Sequence, residues 1–201
     1  MNLKGEGLDK IRAKLHGIEG RYTKHYFDQI FCLLPESIRP ENRKGFKAYD
    51  GTNNIFNLAY EMLSWKIHRA LIKAKLESYL GFLHSVQYGK PSLVCDFMEL
   101  YRYLIDDFLL DHCRKLKLTD FIVKTENQAR KRKGKREYLN NKLTRNLMKK
   151  LESVFQKTVE IPRIKVGKKQ TIETLINEEA LLLAKFLRNE RKQWKPRLPT
   201  L

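Results

Sequence analysis

Leu139, Leu143, Leu147, Leu151 and Phe155 stand four residues apart without interruption. That is the spacing of one face of an α-helix, where residues four apart lie one turn above another. The period recurs in Ile11, Leu15, Ile18 and Tyr22, and in Ile55, Leu58, Met62, Ile67 and Leu71. Stripes this narrow leave water only by packing against one another, so the chain is expected to be all-α and multi-helical. The spacing predicts helices over about Leu8–Leu34, from Asn53 or Asn54 to about Lys75, from Ser92 to about Cys113, from about Glu137 to Val159, and over about Thr171–Asn189. Pro35 and Pro40 close the first, Ser92 is a candidate cap for the third, and Gly81, Gly89, Pro162 and Gly167 mark connections. Val159–Val166 is the only candidate strand, there is no internal repeat, and the Pro-containing tail from Trp194 to Leu201 should lie extended. The reading is one domain over residues 1–201, with a basic loop at about 129–136 and a C-terminal helical portion over about 137–201.

Charge narrows the partner. Lys and Arg number 41 against 23 Asp and Glu, a formal net charge of +18. Self-repulsion of that size strains a compact fold until a polyanion offsets it, which points to DNA or RNA before an anionic membrane surface. Arg130 to Arg136 holds six basic residues in seven, with Gly134 the exception, and Arg145, Lys149 and Lys150 add charge just beyond it. No apolar run reaches the ~20 residues of a membrane span, and Met1–Asp9 has no signal-peptide core. Cys32, Cys95 and Cys113 are odd in number and form no CxxC pair. They read as buried thiols of a cytoplasmic protein rather than disulfides or zinc ligands.

Three groups could carry chemistry. Glu19 lies between Gly17 and Gly20, and two glycines in one helical turn cost roughly 1 kcal/mol each relative to alanine. Either the helix breaks there and Glu19 is merely solvated, or the missing side chains let a backbone or a phosphate come close. His84 follows an apolar run, and is either a hydrogen-bonded core residue or a metal ligand. Asp96 and Glu99 are three apart on one helix face, with Arg102 and Asp106 continuing it. They are either a solvated face with a Glu99–Arg102 ion pair or part of a site. Taken together, carboxylates and an imidazole can hold Mn²⁺ or Mg²⁺ and leave positions open for water and phosphate.

The stretch Gly81-Phe-Leu-His84, then Ser92-Leu-Val-Cys-Asp96-Phe-Met-Glu99-Leu-Tyr-Arg102, resembles the signature of the CRISPR spacer-acquisition integrase, the first-numbered family of CRISPR-associated (Cas) proteins. Phe97 replaces the family's usual Leu. Ile18-Glu19-Gly20 with Tyr26 resembles a second family motif, Thr23 standing for a small Ala. Asn53, seven before Tyr60, resembles a third. The three occur in family order.

The resemblance implies an all-α catalytic domain that joins a DNA 3′-hydroxyl to a phosphodiester at a CRISPR repeat, and cuts branched DNA by the reverse reaction. It implies Glu19, His84 and Glu99 as ligands of Mn²⁺ or Mg²⁺, with Asp96 supporting them. It places Arg102 near the scissile phosphate. Asn53, Tyr60 and Lys90 lie in or beside the matching motifs and are expected DNA contacts; the expected backbone contacts are Arg130, Lys131, Arg132, Lys133, Lys135, Arg136 and Arg145. Family members carry a β-rich domain ahead of this one, which builds a homodimer and meets a small partner subunit. With Glu19 so near the start of the sequence, the chain reads as a compact integrase or as a catalytic domain. Capture of two DNA ends argues for a homo-oligomer, and the partner subunit stays an open question. A structure-selective nuclease and a non-catalytic DNA-binding fragment are the alternative functions.

Phosphate contacts are indifferent to sequence and sensitive to salt. Replacing Arg130, Lys131, Arg132 and Lys133 by glutamine should weaken binding to unrelated DNA duplexes alike. The slope of log affinity against log salt should flatten by about 0.9 per lost contact. Fluorescence anisotropy across a salt series measures both; an unchanged affinity and slope would rule the segment out.

Overall fold

The computed structural model describes residues 7–128, 132–160 and 169–199, giving the backbone alone for 126–128 and 132–133. The fold is mostly helical: α1 Leu8–Cys32, α2 Gly51–Lys73, α3 Ser92–Met98, α4 Arg102–Cys113, α5 Asn141–Phe155 and α6 Ile172–Leu187. Two small antiparallel pairs interrupt the helices. They are β1 Phe121–Gln128 with β2 Arg132–Leu139, and β3 Thr158–Glu160 with β4 Lys169–Thr171. The chain divides into two compact units, residues 1–57 with 109–144, and residues 58–108 with 145–201.

In the first unit, Phe27 and Phe31 of α1 meet Phe56 of α2 edge to face, at 6.0 and 5.7 Å between ring centroids. Such pairs add about 0.5–1.5 kcal/mol beyond the area they bury. The Arg43 guanidinium lies over both Phe27 and Phe56, at 5.5 and 5.8 Å. Asp50 opens α2 by accepting from the Asn53 amide N–H at 2.7 Å, so the cap falls three residues before the expected one. Asn53 is fully buried. Its Nδ2 donates to the Asn42 carbonyl (2.8 Å) and to Asp50 (2.9 Å), and its Oδ1 accepts from Lys44 N (2.9 Å) and Arg43 (3.2 Å). All four bonding positions of the amide are used to fold residues 42–50 over the start of α2. The expected DNA contact at Asn53 is thus corrected: its side chain has no surface to offer a phosphate.

The β1–β2 hairpin is a second correction, since this stretch reads as a loop followed by a helix. It pairs Phe121 with Leu139 and Lys124 with Arg136. Phe121-Ile122-Val123 on one strand and Tyr138-Leu139 on the other supply aromatic and β-branched residues that suit a pleated surface. The hairpin is fastened to the start of α2 through Glu137. Its N–H donates to the Tyr49 carbonyl at 2.8 Å, its carbonyl accepts from Asn54 Nδ2 at 2.7 Å, and its carboxylate accepts from Gly51 N at 3.3 Å. A side chain at Gly51 would collide with the Phe121 ring. Leu139, the first leucine of the four-residue series, therefore ends a strand. Asn140 caps α5 by accepting from Leu143 N at 3.0 Å.

In the second unit the α2 stripe of Leu63, Ile67 and Leu71 is buried, as are Leu104 and Ile105 of α4, Leu147, Leu151 and Phe155 of α5, and Ile172, Leu175, Ile176 and Leu183 of α6. The expected third helix is broken at residues 99–101 into α3 and α4. Thr171 caps α6, accepting from Thr174 N at 3.1 Å. The candidate strand is found at Val159, within β3; its remainder, residues 161–166, lies outside the described residues. The tail is irregular and tied down. Trp194 stacks on Phe97 at 6.1 Å and 9° and donates to the fully buried Glu179 at 3.2 Å. Arg197 pairs with Glu179 and Glu178. Of the three free cysteines, Cys113 is buried, and that burial pushes its thiol up to about 12. Cys32 is exposed, contrary to the expectation of three buried thiols. No helix among the described residues is long and apolar enough to cross a membrane.

Lys66 of α2 ties α5 to α6, bonding Glu152 at 2.6 Å and Glu173 at 2.9 Å. Burial works against the Glu173 carboxylate, but its bonds from Lys66 and Gln156 outweigh that and hold it below the ordinary range. Burial likewise opposes the Lys66 ammonium, and the two carboxylates outweigh it, raising its pKa. Stability from Glu173 is therefore complete above its unfolded pKa and is lost as pH falls through the lower folded value. Stability from Lys66 is complete below its unfolded pKa and is lost as pH rises through the higher folded value. Lys66→Met should cost about 2 kcal/mol at neutral pH and flatten both the acid and the alkaline limb of stability against pH. Urea denaturation at a series of pH values tests this; an unaltered acid limb would contradict it.

Candidate functional site

The richest constellation is in the second unit, where the segment between α2 and α3 folds around one carboxylate. Asp96 lies in the middle of α3. Its Oδ2 accepts from the N–H of Phe82 and, at 3.0 Å, from that of Leu83. Its Oδ1 accepts from the N–H of His84 at 2.9 Å and from His84 Nδ1 at 2.6 Å. One carboxylate thus orders three consecutive amides and an imidazole. The backbone has to come very near for this, and Gly81 permits it: a Cβ there would stand 2.6 Å from the His84 carbonyl oxygen and 2.8 Å from Asp96 Oδ2. Ser92 closes the connection from the other end, its hydroxyl donating to the Ser85 carbonyl at 2.8 Å. Gly89, at φ +72°, makes the turn before it, and Lys90 sits beside that turn, bridged to Gln87.

This arrangement decides the state of His84. A carboxylate only accepts, so Nδ1 carries the proton and the lone pair of the neutral ring lies on Nε2. An imidazole whose Nδ1–H is held by a carboxylate is the usual form of a metal-ligating histidine, with its ring oriented and its basicity raised. The donor chemistry therefore fits a divalent ion. Asp96 is spent on this support.

Glu99 follows at the break between α3 and α4, where it ends α3. Its carboxylate accepts from Arg102 at 2.8 Å, so the expected ion pair forms. Arg102 is largely covered, with its guanidinium 4.9 Å above the Tyr60 ring. Tyr60 is 8 % exposed and donates its hydroxyl to the buried Asp106. Tyr60 is thus a core residue beneath Arg102, which corrects its expected role as a DNA contact.

In the first unit, α1 runs through Gly17 and Gly20 without a break. Apart from the neighbouring residues and backbone of α1 itself, no atom among the described residues lies within 4 Å of where a Cβ would stand at Gly17 or Gly20. His16, one turn earlier, faces Glu19 with Nδ1 3.3 Å from Oε2. The sequence reading passed over His16, though its spacing of three from Glu19 was the signal that puts both on one face.

The expected basic contacts fall differently. Lys135 is exposed on β2; Arg136 lies over the Tyr49 ring at 5.6 Å. Arg145, Lys149 and Lys150 are exposed on α5, Arg145 and Lys149 on the face opposite Leu147 and Leu151. Arg132 and Lys133 are placed on β2 by their backbone, and Arg130 and Lys131 lie outside the described residues.

If Asp96 organises the loop, Asp96→Ala should expose the amides of Phe82, Leu83 and His84. Their hydrogen exchange should accelerate at least ~10-fold, and the Nδ1-protonated form of His84 should lose its dominance in ¹⁵N spectra. Exchange at wild-type rates would show that something else holds the loop.

Comparison with known proteins identifies the family. A family model described as CRISPR associated protein Cas1 matches residues 4–152. A CRISPR-associated endonuclease Cas1 from Archaeoglobus fulgidus is 37 % identical over 111 residues, covering 52 % of this chain and 32 % of the relative. Another from Thermus thermophilus is 30 % identical over 201 residues, covering 96 % of this chain and 57 % of the relative. The chain thus spans between a third and somewhat over half the length of these relatives. Among solved structures, a casposase bound to integration product superposes with a TM-score of 0.77 at 22 % identity, covering 92 % of this chain and 50 % of that one, a likeness of fold. With most of its length matched by the family model, the chain belongs to the Cas1 family of CRISPR-associated proteins.

Proposed function

We propose that this chain is the catalytic part of a divalent-metal-dependent DNA integrase and endonuclease that inserts short DNA fragments into a CRISPR array. The observation that carries the reading is the Asp96-held His84, oriented and with its lone pair on Nε2, in a chain of the Cas1 family. Glu19, His84 and Glu99 are assigned as ligands of Mn²⁺ or Mg²⁺ by the family motifs they match. When bound, the ion supplies charge to offset the developing negative charge on the phosphoryl oxygens and lowers the pKa of the attacking hydroxyl.

The residues have distinct work. His84 is assigned as a ligand, its Nδ1–H held by Asp96 and the Nε2 lone pair left to face an ion. Asp96 fixes the ring plane. Glu99 brings a carboxylate at the end of α3, with Arg102 beside it. The reaction is a transesterification: a DNA 3′-oxygen loses its proton and bonds to phosphorus, and the P–O bond to the leaving strand breaks. One such bond is made for each one lost, so no nucleotide cofactor is needed. Water in place of the 3′-hydroxyl gives cutting, which the relatives' printed name, endonuclease, favours as the second reading. The exposed Lys135, Arg145, Lys149 and Lys150 and the net charge of +18 support DNA as the partner. Insertion joins two DNA ends, which supports a homo-oligomer.

The test mixes the protein with a short labelled duplex, a supercoiled CRISPR-repeat plasmid and Mn²⁺. Wild type should transfer label to the plasmid, and His84→Ala or Glu99→Ala should lower the rate at least ~10²-fold. Cut plasmid with no joined label would favour the nuclease. Equal activity in the variants would refute the site.

A further inference from the structure

We infer that Asp106 and Tyr60 position the metal-ligating carboxylate of Glu99 by holding Arg102, so that a buried acid one helical turn beyond Arg102 sets the geometry of the metal site from behind. The inference rests on the assignment of Glu99 as a ligand.

Glu99 needs such a holder. It lies where α3 ends, and its side chain is 39 % exposed, so packing does not fix its rotamer. A loosely held carboxylate makes a poor ligand, because the entropy of ordering it is charged against every ion that binds. The Arg102 bond at 2.8 Å supplies the constraint. An exposed arginine could not do this, since a long flexible pair in water gains little. Arg102 is not such a residue. Its guanidinium lies over the Tyr60 ring at 4.9 Å, a contact that leaves the rest of its forked donor set for Glu99, as a lysine's single ammonium does not.

The platform is anchored in turn. Tyr60 projects from α2, and its hydroxyl donates to Asp106. Asp106 is 4 % exposed, and a buried carboxylate is tolerated where donors satisfy it. Burial first, and then the neighbouring Asp106 charge, raise the Tyr60 pKa far above its ordinary value. The hydroxyl therefore stays a neutral donor at every working pH. The order from core to surface is Asp106, Tyr60, Arg102, Glu99, each fixing the next. All four belong to the second unit. Arg102 keeps further N–H donors for a phosphate while one holds Glu99. This makes it a positioning residue whatever else it touches.

The experiment measures Mn²⁺ affinity by electron paramagnetic resonance of the free ion, on folded protein without DNA. The variants are Tyr60→Phe, Arg102→Lys, Glu99→Gln, and Tyr60→Phe combined with Glu99→Gln. Tyr60→Phe deletes one oxygen and keeps the ring, and near-ultraviolet circular dichroism confirms the fold. Expected is a loss of about 10-fold or more in Mn²⁺ affinity for Tyr60→Phe and for Arg102→Lys. Adding Tyr60→Phe to Glu99→Gln should cost nothing further, because the chain of contacts acts only through Glu99. If Glu99→Gln weakens Mn²⁺ but Tyr60→Phe does not, the positioning chain is refuted and the ligand assignment stands. If Tyr60→Phe weakens DNA binding alone, Arg102 serves the phosphate and the inference is likewise refuted. If Glu99→Gln binds Mn²⁺ as wild type does, the ligand assignment fails and takes the inference with it.

Discussion

The second unit's chemistry depends on one carboxylate accepting four hydrogen bonds. Asp96 gathers the N–H groups of Phe82, Leu83 and His84 and the Nδ1 proton of His84. Charge-assisted bonds of this kind are about twice as strong as neutral ones. Together they do locally what a helix or sheet does by repetition: they give a short irregular segment a single conformation. The histidine ring plane, its tautomer and the direction of its lone pair all follow from that one residue. The packing of α3 fixes Asp96 in turn, through the buried Leu93, Val94 and Phe97 on the helix's apolar face.

The helices were legible because each buries an apolar stripe of helical period. Leu147, Leu151 and Phe155 stand where the four-residue spacing puts them, as do Ile55, Ile67 and Leu71, while Leu63 is buried where Met62 was expected. What spacing does not report is where a helix yields to a stronger local bond. Leu139 continues the leucine series by count, yet it pairs with Phe121 in the hairpin. Asn140 starts the helix only after it. The break at residues 99–101 was hidden by the unbroken apolar pattern on either side. The hairpin itself was masked by its charge, because lysines and arginines read as solvated loop even where their backbones form a ladder.

The candidate site was legible as ordered motifs, but the roles within it were not. Asn53 and Tyr60 stand in a matching motif, which offers them as DNA contacts, whereas burial shows one folding a loop and the other carrying Arg102. Asp106 was visible as part of the polar face of its helix, and only its burial reveals that this face turns inward. His16 shows the opposite limit. Its spacing from Glu19 was readable in the sequence, but a histidine one turn from a carboxylate carries little weight until a distance is attached to it.

Gly81 bears on how this sequence can drift. Most substitutions degrade a protein by degrees, and a surface codon can wander through many near-neutral alternatives. At Gly81 the smallest possible addition, one methyl, already meets the His84 carbonyl, the Asp96 carboxylate and the Ser92 side chain. There is no intermediate step between glycine and a displaced acid. Neutral variation can therefore accumulate on the outer faces of the helices while this position stays an all-or-nothing gate, and a lineage that loses the glycine loses the histidine's orientation in the same mutational event.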